Sequence, residues 1–381
     1  MNTTLIVTND FPPRQGGIET FVHAMATRLP NVVVHTSSEP GAAAYDAALP
    51  FPVIRDPSRT LLPTPRVTRR VLETAREHGC DRVWFGAAAP LASMAPALRH
   101  GGIQRMVATT HGHEIWWART PGARRILRRI GDHVDVVTCL GEYARRRIAP
   151  ALGPRARLER LVPGVDTAVF RPSSDRAREV RDLHGITGTR PMVLCVSRLV
   201  PRKGQDMLIR ALPLIRRSVP DAVLMIVGKG PDEARLRGLA DRYAPGDQVV
   251  FAGGRTHAET APYYSAADVF VMPCRTRRVG MEAEGLGIVF LEAAASGLPV
   301  VAGDSGGAPD TVLPGITGEV VDGRDVRAVA DATARVLRSP DRAAMGEAGR
   351  LWMERQWSWN ASADRLARLL TPGPDRAAHR A

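Results

Sequence analysis

Residues 4–29 read TLIVTNDFPPRQGGIETFVHAMATRL, and this stretch decides the fold of the first half of the chain. The apolar run Thr4 to Thr8 predicts a buried strand, the turn-rich segment Asn9 to Gly17 predicts a loop, and the apolar spacing from Ile18 to Leu29 predicts a helix. Further short apolar runs alternate with helical segments, which is the pattern of a parallel sheet covered on both faces. The first half is therefore predicted to be a doubly wound α/β domain.

A second series of the same kind begins at Met192 to Val196, after prolines and glycines interrupt the pattern around residues 161–172. This series predicts another Rossmann-like sheet. With 381 residues, of which 44% are hydrophobic, the chain is long enough to bury two cores. We therefore predict an N-terminal domain at residues 1–168, a C-terminal domain at residues 169–358, a last helix at residues 359–372 and a tail at residues 373–381.

The strongly basic composition narrows the function only slightly. The formal net charge is +13, and a positive potential of this size attracts nucleic acids and anionic membranes alike. Only 5% of the residues are aromatic, and we find neither a stacking platform for bases nor a helix-turn-helix pattern. A non-enzymatic nucleic-acid-binding protein is therefore the weakest of the three functional hypotheses, the other two being enzymes.

Cysteine usage and hydropathy predict a cytoplasmic protein. The four cysteines are widely scattered without a Cys-x-x-Cys pair, which fits reduced thiols in the cytosol. The amino terminus passes directly into the first predicted strand without a leader, and no apolar run approaches the ~18 residues that a membrane span requires. Any contact with a membrane is expected to be peripheral, on the inner face of the cell membrane.

The segment Ser197 to Gly204 predicts a phosphate-binding loop. It follows a predicted strand and carries Arg198 and Lys203, a planar guanidinium and a compact ammonium that together suit two adjoining phosphates. Lys203 and Lys229 are the only lysines among 52 basic residues, so a lysine in this loop is improbable as background. A solvated loop lysine is the alternative interpretation.

Two carboxylates, Glu284 and Glu292, flank a second candidate segment. Carboxylates accept hydrogen bonds from neighbouring hydroxyls, so this pair suits a sugar and a ribose. Between them, Gly285, Leu286, Gly287 and Ile288 lead into a predicted helix whose first amides are free to meet a phosphate. We predict that these residues bind a nucleotide diphosphate-sugar.

The first half contributes two further candidates. Gly16 and Gly17 lie between a predicted strand and a helix, where bare backbone can approach a diphosphate, although a tight structural turn explains the pair about as well. His111 follows a predicted strand, at the end where α/β active sites cluster. His113 is the competing histidine. With no third histidine nearby and no Asp-x-Asp pair, we predict no metal site.

The Glu284 and Glu292 spacing, together with Arg198 and Lys203, resembles that of the retaining nucleotide-sugar glycosyltransferases of family 4. The resemblance implies the GT-B fold, two Rossmann-like domains that face a central cleft, with the last helix crossing back to the first domain. It implies that His111 and Glu284 contact the donor sugar and that Glu292 binds the ribose. Arg198 and Lys203 would neutralise the leaving diphosphate without an essential divalent metal or other cofactor.

The resemblance extends to a narrower group, the actinobacterial phosphatidylinositol mannoside mannosyltransferases that add the second mannose. It rests on Asn9 to Arg14, Trp84 to Pro90, Thr110 to Glu114, Ser197 to Asp206, Arg275 to Arg277 and Ser305 to Pro309. This similarity implies transfer from GDP-mannose to an anionic inositol lipid, with an α-1,6 linkage. The alternative is a family 4 enzyme with another nucleotide sugar and a soluble acceptor, such as an inositol phosphate, a natural product or a glycan.

A basic segment supports the lipid acceptor. Pro121 to Gly131 places four arginines between apolar residues, a pattern that suits a helix on an anionic surface, and two tryptophans just before it suit the headgroup level. The residues concerned are Trp116, Trp117, Arg124, Arg125, Arg128 and Arg129. The alternative is an ordinary solvated helix with tryptophans packed in the core.

Overall fold

The computed structural model of the protein describes residues 3–14, 16–277 and 282–371. Its contacts divide the chain into two compact units. The first unit contains the chain up to Gly164 and the residues from Trp359 onward, and the second runs from Val165 to Ser358. Residue 372 of the predicted last helix and the predicted tail at residues 373–381 lie outside the described residues.

The described part of the first unit forms a seven-stranded parallel sheet. Its strands are β1 (Thr3–Thr8), β2 (Val32–Thr36), β3 (Val53–Arg55), β4 (Cys80–Phe85), β5 (Arg105–Thr109), β6 (Val136–Cys139) and β7 (Leu158–Arg160). They lie in the order β3-β2-β1-β4-β5-β6-β7. Leu5, Ile6 and Val7 of the central strand β1 are fully buried, as expected for a parallel strand covered on both faces.

Helices connect these strands. They are α1 (Gly17–Ala26), α2 (Ala42–Ala47), α3 (Pro65–Glu77), α4 (Ala95–His100), α5 (Glu114–Arg119), α6 (Pro121–His133) and α7 (Glu142–Leu152). The start of α3 shows why a helix begins where it does: the Thr64 hydroxyl accepts a hydrogen bond from the Val67 amide, and Pro65 occupies the first helical position.

The described part of the second unit repeats the design with six parallel strands. They are β8 (Met192–Val196), β9 (Val223–Val227), β10 (Val249–Gly253), β11 (Val269–Met272), β12 (Val300–Gly303) and β13 (Gly318–Val321), in the order β10-β9-β8-β11-β12-β13. The helices are α8 (Ser174–Leu183), α9 (Gln205–Ser218), α10 (Glu233–Tyr243), α11 (His257–Ala266), α12 (Ile288–Ala295), α13 (Val326–Arg338) and α14 (Arg342–Gln356). The predicted class of two Rossmann-like sheets is thereby confirmed.

The last helix, α15 (Trp359–Leu370), belongs to the first unit. Its residues Leu366, Leu369 and Leu370 pack in the same core as Phe21 of α1. The chain enters this helix beside Gly164, where a side chain would clash with the backbone of Trp359, so a glycine is required for the close approach.

The units divide after Gly164 and not after residue 168, where the sequence placed the boundary. The Val165 amide donates to the Trp357 carbonyl oxygen at 2.7 Å, and Phe170 packs edge-on against Tyr264 with ring centroids 5.7 Å apart. The prolines and glycines between residues 161 and 172 therefore lead into the second core before the predicted boundary is reached.

Candidate active site

A buried glutamine stabilises the predicted phosphate-binding loop of the second unit, Ser197 to Gly204. The loop leaves β8 at Ser197 and enters α9 after a short 3-10 turn at Pro201–Lys203. Gln205 is fully buried, and its amide group donates to the Ser197 hydroxyl at 2.8 Å and to the Arg198 carbonyl oxygen at 3.1 Å. These bonds fix the path of the backbone, so the two cationic side chains start from defined positions.

Lys203 and Arg198 occupy different environments in this loop. Lys203 is only 9% exposed, and its ammonium lies 2.7 Å from Glu284 Oε2. The Arg198 side chain is exposed, and within the described residues it forms no ion pair. The structure therefore brings together Lys203 and Glu284, two residues 81 positions apart that the sequence selected for different reasons.

A glycine-rich loop after β12 holds Glu284. The Glu284 amide donates to the Ser305 hydroxyl at 3.3 Å, and the Gly307 amide donates to the Glu284 carbonyl oxygen at 3.0 Å. Gly306 has a φ of +63°, and a side chain there would clash with the backbone of Glu284. Ser305, Gly306 and Gly307 thus act on the backbone of Glu284, leaving its carboxylate for Lys203.

The second carboxylate, Glu292, lies on α12 and is 2% exposed. Its Oε2 accepts a hydrogen bond from the Tyr264 phenol at 2.7 Å, and its Oε1 lies 3.3 Å from His257 Nδ1. Burial raises the pKa of Glu292, while the bond from Tyr264 opposes that rise. Neither Tyr264 nor His257 stood out in the sequence, because an isolated Tyr or His carries no motif of its own.

The segment between the two carboxylates is open on one side. Gly287 precedes α12 with a φ of +83°, which favours glycine. Leu286 is buried, Ile288 is 37% exposed, and a side chain at Gly285 would meet no atom within 4 Å. The predicted contacts of residues 285–288 with a donor remain a prediction.

His111 of the first unit is held as a neutral base. It follows β5, and its Nε2 donates to the Gly86 carbonyl oxygen at 2.7 Å, which leaves Nδ1 as the hydrogen-bond acceptor. Burial lowers the pKa of His111 to about 4, so the ring is uncharged at neutral pH. Phe21 packs edge-on against the ring at 5.3 Å.

His113 differs from His111 in exposure and partner. Its side chain is 43% exposed, and its Nε2 lies 3.2 Å from Glu114 Oε1. Glu114 is fully buried, and its Oε2 accepts hydrogen bonds from the amides of His111 and Gly112 at 3.0 and 3.1 Å. Glu114 therefore closes the turn that carries both histidines. The sequence could have suggested this role, because an acidic residue at a helix start commonly caps it.

Gly16 and Gly17 stand at the start of α1, beside an acidic side chain. Glu19 folds back so that a side chain at Gly16 would clash with its carboxylate, and Glu19 also pairs with Arg14 at 3.1 Å. In this structure Gly16 makes room for Glu19. The phosphate contact predicted for Gly16 and Gly17 remains a prediction.

A cavity of about 420 Å³ opens in the first unit beside these residues. Its polar lining includes Asp10, Arg14, Arg59, Thr60 and His113. Burial, followed by the nearby Glu19, raises the pKa of Asp10. A larger depression of about 660 Å³ lies in the second unit beside Glu319 and Arg335, and its described lining contains none of the predicted site residues.

The basic helix α6 turns its apolar side inward. Leu127 and Ile130 are buried in the core of the first unit, and Trp117 packs against the same core. Trp116, in contrast, is 59% exposed, and all four predicted arginines of α6 are exposed. The interleaved apolar residues are therefore core residues, and the surface that remains for a membrane is the arginine face with Trp116.

The described residues contain neither a membrane-spanning helix nor a metal-binding cluster. No described helix combines the length and apolar character needed to cross a bilayer. Within residues 3–14, 16–277 and 282–371, no cluster of three or more His, Cys, Asp or Glu side chains has metal-binding geometry.

The fold and these sites define a class of protein. Residues 177–352 match the family model for glycosyl transferases group 1, and residues 15–169 match the model for glycosyltransferase family 4. Solved structures with the same fold include a sucrose-phosphate synthase from Thermosynechococcus elongatus, at 24% identity and a TM-score of 0.73, covering 97% of this chain and 98% of that one. Another is Anabaena HepE in complex with UDP, at 18% identity and a TM-score of 0.77, covering 97% and 99%.

The chain belongs to glycosyltransferase family 4 and is an enzyme of that family. Full-length relatives narrow the comparison to one group, described as GDP-mannose-dependent alpha-(1-6)-phosphatidylinositol monomannoside mannosyltransferases. The protein from Mycolicibacterium smegmatis is 50% identical over 374 residues, covering 96% of this chain and 98% of the relative. The one from Mycobacterium tuberculosis is 51% identical over 386 residues, covering 99% and 100%. The predicted resemblance to these mannosyltransferases is confirmed.

Proposed function

We propose that this protein transfers mannose from GDP-mannose to a phosphatidylinositol mannoside, forming an α-1,6 linkage at the inner face of the cell membrane. The observation that carries the proposal is the identity of about half of all residues with mannosyltransferases of that description, over nearly the whole length of both chains. The site geometry supplies groups that suit such a reaction.

The second unit is the proposed donor side. When the bond between the sugar C1 and the diphosphate oxygen breaks, the leaving nucleoside diphosphate gains negative charge. Lys203 and Arg198 would stabilise that charge, Lys203 from a position fixed by Glu284. Glu292 would accept hydrogen bonds from the ribose hydroxyls. The acceptor oxygen forms the new bond to C1 from the same face of the sugar, and its proton passes to the departing diphosphate oxygen.

The first unit is the proposed acceptor side. His111 presents an unprotonated Nδ1 that is suited to accept a hydrogen bond from a hydroxyl of the donor sugar. The cavity that His113 lines combines Arg14 and Arg59 with Asp10 and Thr60. Such a lining suits a ring of hydroxyls that carries a phosphate, and the volume falls within the range of ~300–1,000 Å³ that is usual for small-molecule sites.

The proposed reaction needs no divalent metal. Cationic side chains of the Ser197 to Gly204 loop would take the part that a metal ion plays where carboxylates bridge it to a diphosphate. We therefore expect transfer to persist in EDTA.

A soluble acceptor is the second candidate. D-inositol 3-phosphate glycosyltransferases are also relatives; the one from Thermobispora bispora is 33% identical over 242 residues, covering 61% of this chain and 54% of the relative. An inositol phosphate and a phosphatidylinositol mannoside both offer a hydroxylated ring with a phosphate. The exposed arginine face of α6 and Trp116 favour the lipid, because a soluble acceptor gives them no role.

Thermal unfolding with a panel of nucleotide sugars tests the donor side. A ligand that binds only the folded state adds about 2.7 kcal/mol to the free energy of unfolding at a hundredfold excess over its Kd. The melting temperature therefore rises. We expect GDP-mannose and GDP to stabilise the protein, with or without EDTA, and UDP-glucose to have little effect. Stabilisation by UDP-glucose alone, or only in the presence of magnesium, would contradict the proposed donor.

A further inference from the structure

We propose that Tyr264 is a positioning residue for nucleotide binding, because its phenol fixes one oxygen of Glu292 and leaves the other to meet the nucleotide. The inference deepens the proposed function, since it rests on Glu292 as the ligand of the ribose. It concerns a residue that is not expected to touch the nucleotide and acts only through the carboxylate.

The geometry separates the two oxygens of Glu292. Tyr264 is fully buried, and its phenol donates to Oε2 at 2.7 Å, so that oxygen and the plane of the carboxylate are fixed. The other oxygen, Oε1, lies 3.3 Å from Nδ1 of His257, whose side chain is 66% exposed. Oε1 thus faces the side from which solvent reaches the site, and a ligand reaches it from the same side.

The phenol also favours the charged form of Glu292. Burial raises the pKa of Glu292, and a hydrogen bond donated to its ionised form lowers that pKa. Burial raises the pKa of Tyr264 well above its ordinary value, so the phenol retains its proton and remains a donor over the whole physiological range. A carboxylate without this donor would take up a proton at a higher pH and would accept hydrogen bonds from hydroxyls less well.

The groups around Glu292 come from several elements. Tyr264 and His257 face it from α11. The Cys195 thiol of β8 lies near the phenol, and burial raises the pKa of Cys195 to about 12. Arg350 of α14 donates to the Ala295 carbonyl oxygen at the far end of α12. His257 is the side chain that lies beside Oε1, the oxygen that the proposed ribose contact requires.

The aromatic contacts explain why the arrangement is rigid. Phe170 packs against Tyr264 and His257, with ring centroids 5.7 and 5.0 Å away. Tyr264 also contacts Phe270 of β11 at 5.8 Å. Removing only the phenol oxygen leaves these ring contacts in place, so Tyr264→Phe changes the hydrogen bond without opening a cavity.

Calorimetric titration of the full chain with GDP tests the proposal. We expect Tyr264→Phe to weaken GDP binding about tenfold near neutral pH, because a hydrogen bond to a charged group is lost. The loss should widen as the pH falls, since the carboxylate without the phenol is protonated at a higher pH than in the wild type. Tyr263→Phe is the matched control. Its phenol contacts Arg255 and His184, and we expect wild-type affinity at every pH.

Variants of Glu292 distinguish a failure of the proposed ribose contact from a failure of the positioning role of Tyr264. Glu292→Gln measures the role of the carboxylate itself; wild-type GDP affinity in this variant removes the proposed ribose contact and the inference with it. If Glu292→Gln does weaken binding, Tyr264→Phe should add nothing in the double variant. Unaltered GDP binding in Tyr264→Phe, or a loss that is equal at every pH and additive to Glu292→Gln, would overturn the inference.

Discussion

The two units place their functional side chains in different electrostatic environments. In the second unit, charged side chains are buried with partners: Lys203 meets Glu284, and Glu292 meets Tyr264. In the first unit, the partly buried histidine His111 is neutral, and Arg59 faces the cavity from an exposed position. A buried charge must have a partner, whereas a neutral ring and a solvated arginine need none.

This difference predicts which substitutions should reduce both function and stability. Replacing Lys203 or Tyr264 in the second unit would leave a carboxylate, Glu284 or Glu292, buried without its partner. Replacing an exposed side chain such as Arg59 of the first unit or Arg198 of the second would leave no buried partner. We therefore expect loss of function and loss of stability to coincide at the buried pairs and to separate at the exposed side chains.

Lys203→Ala should produce the largest effect. The variant leaves Glu284 as a buried, unpaired carboxylate, which costs about 3 kcal/mol in the free energy of unfolding. It also removes a cation from the leaving diphosphate, and we expect turnover to fall by a hundredfold or more. Urea unfolding and steady-state kinetics measure the two effects separately.

A double variant sharpens this prediction. Lys203→Ala combined with Glu284→Gln removes the unpaired charge, so most of the lost stability should return while activity remains low. Full activity in a folded Lys203→Ala protein would reject the phosphate role. Equal destabilisation of the single and double variants would reject the buried-pair explanation.

His111 should make the first unit sensitive to acid. Its folded-state pKa of about 4 lies below the ordinary value near 6.5, so the unfolded chain binds the proton more readily. Its contribution to stability is therefore complete above about pH 6.5 and is lost as the pH falls toward 4. We expect a loss of about 2 kcal/mol between neutral pH and pH 5.

The variant His111→Gln separates the contribution of this histidine to the pH dependence of stability from that of other groups. Its side-chain amide can still donate to the Gly86 carbonyl oxygen. Unfolding free energies at the two pH values should differ by about 2 kcal/mol more in the wild type than in the variant. Identical slopes in the two proteins would show that the ring titrates normally.

Arg198→Lys should reduce activity without reducing stability. The side chain is exposed and belongs to no ion pair within the described residues, so its replacement leaves no buried partner. An ammonium does not reproduce the bidentate fork of a guanidinium, and we expect kcat/KM to fall by about tenfold to a hundredfold. A melting temperature that drops together with kcat/KM would place Arg198 among the structural residues.

The arginine face of α6 should give the smallest effect for each residue. Each exposed arginine contributes on the order of 1 kcal/mol at an anionic surface, and salt screens that attraction. Arg125→Gln should weaken sedimentation with phosphatidylinositol liposomes about fivefold at low salt, while leaving transfer to a soluble acceptor unchanged. Arg128→Gln should do less, because Arg128 already pairs with Asp132 at 3.0 Å.

Binding to anionic liposomes compared with neutral liposomes tests whether the arginine face of α6 contacts a membrane. Replacing Arg124, Arg125, Arg128 and Arg129 together should abolish the preference for anionic over neutral liposomes. Equal binding of wild type to both kinds of liposome would remove the membrane argument and favour the soluble acceptor. Trp117 packs in the core, so Trp116 is the tryptophan whose replacement should matter at the surface.

Helices and strands could be predicted from the sequence more completely than contacts between side chains. The strand at Met192–Val196 has the predicted bounds, and the strand and helix predicted at Thr4–Thr8 and Ile18–Leu29 lie at Thr3–Thr8 and Gly17–Ala26. Short apolar strands and amphipathic helices carry a local periodic signal that makes this possible. Short strands such as Val53–Arg55 carry too few residues for such a signal. The two-sheet architecture followed from the alternation of these elements.

Within the sites, the sequence identified charged residues but not the groups that hold them. Lys203 and Glu284 were selected from separate motifs, and only the fold shows that they touch. Tyr264, Gln205 and Glu114 went unrecognised because their roles depend on contacts across the fold or on a single turn. The sequence left two interpretations of α6 open, a helix on an anionic surface and an ordinary solvated helix, because a helix that packs on a core has the same periodicity as one that lies on a bilayer.

Transfer of labelled mannose tests the central claim most directly. The purified full-length protein is incubated with labelled GDP-mannose and either phosphatidylinositol monomannoside in liposomes or soluble inositol phosphate, with EDTA present, and the product linkage is determined by mass spectrometry and linkage analysis. The account predicts a lipid product with a second mannose in α-1,6 linkage and little transfer to the soluble acceptor. Transfer to inositol phosphate alone, or no transfer from GDP-mannose while another nucleotide sugar serves as donor, would contradict it.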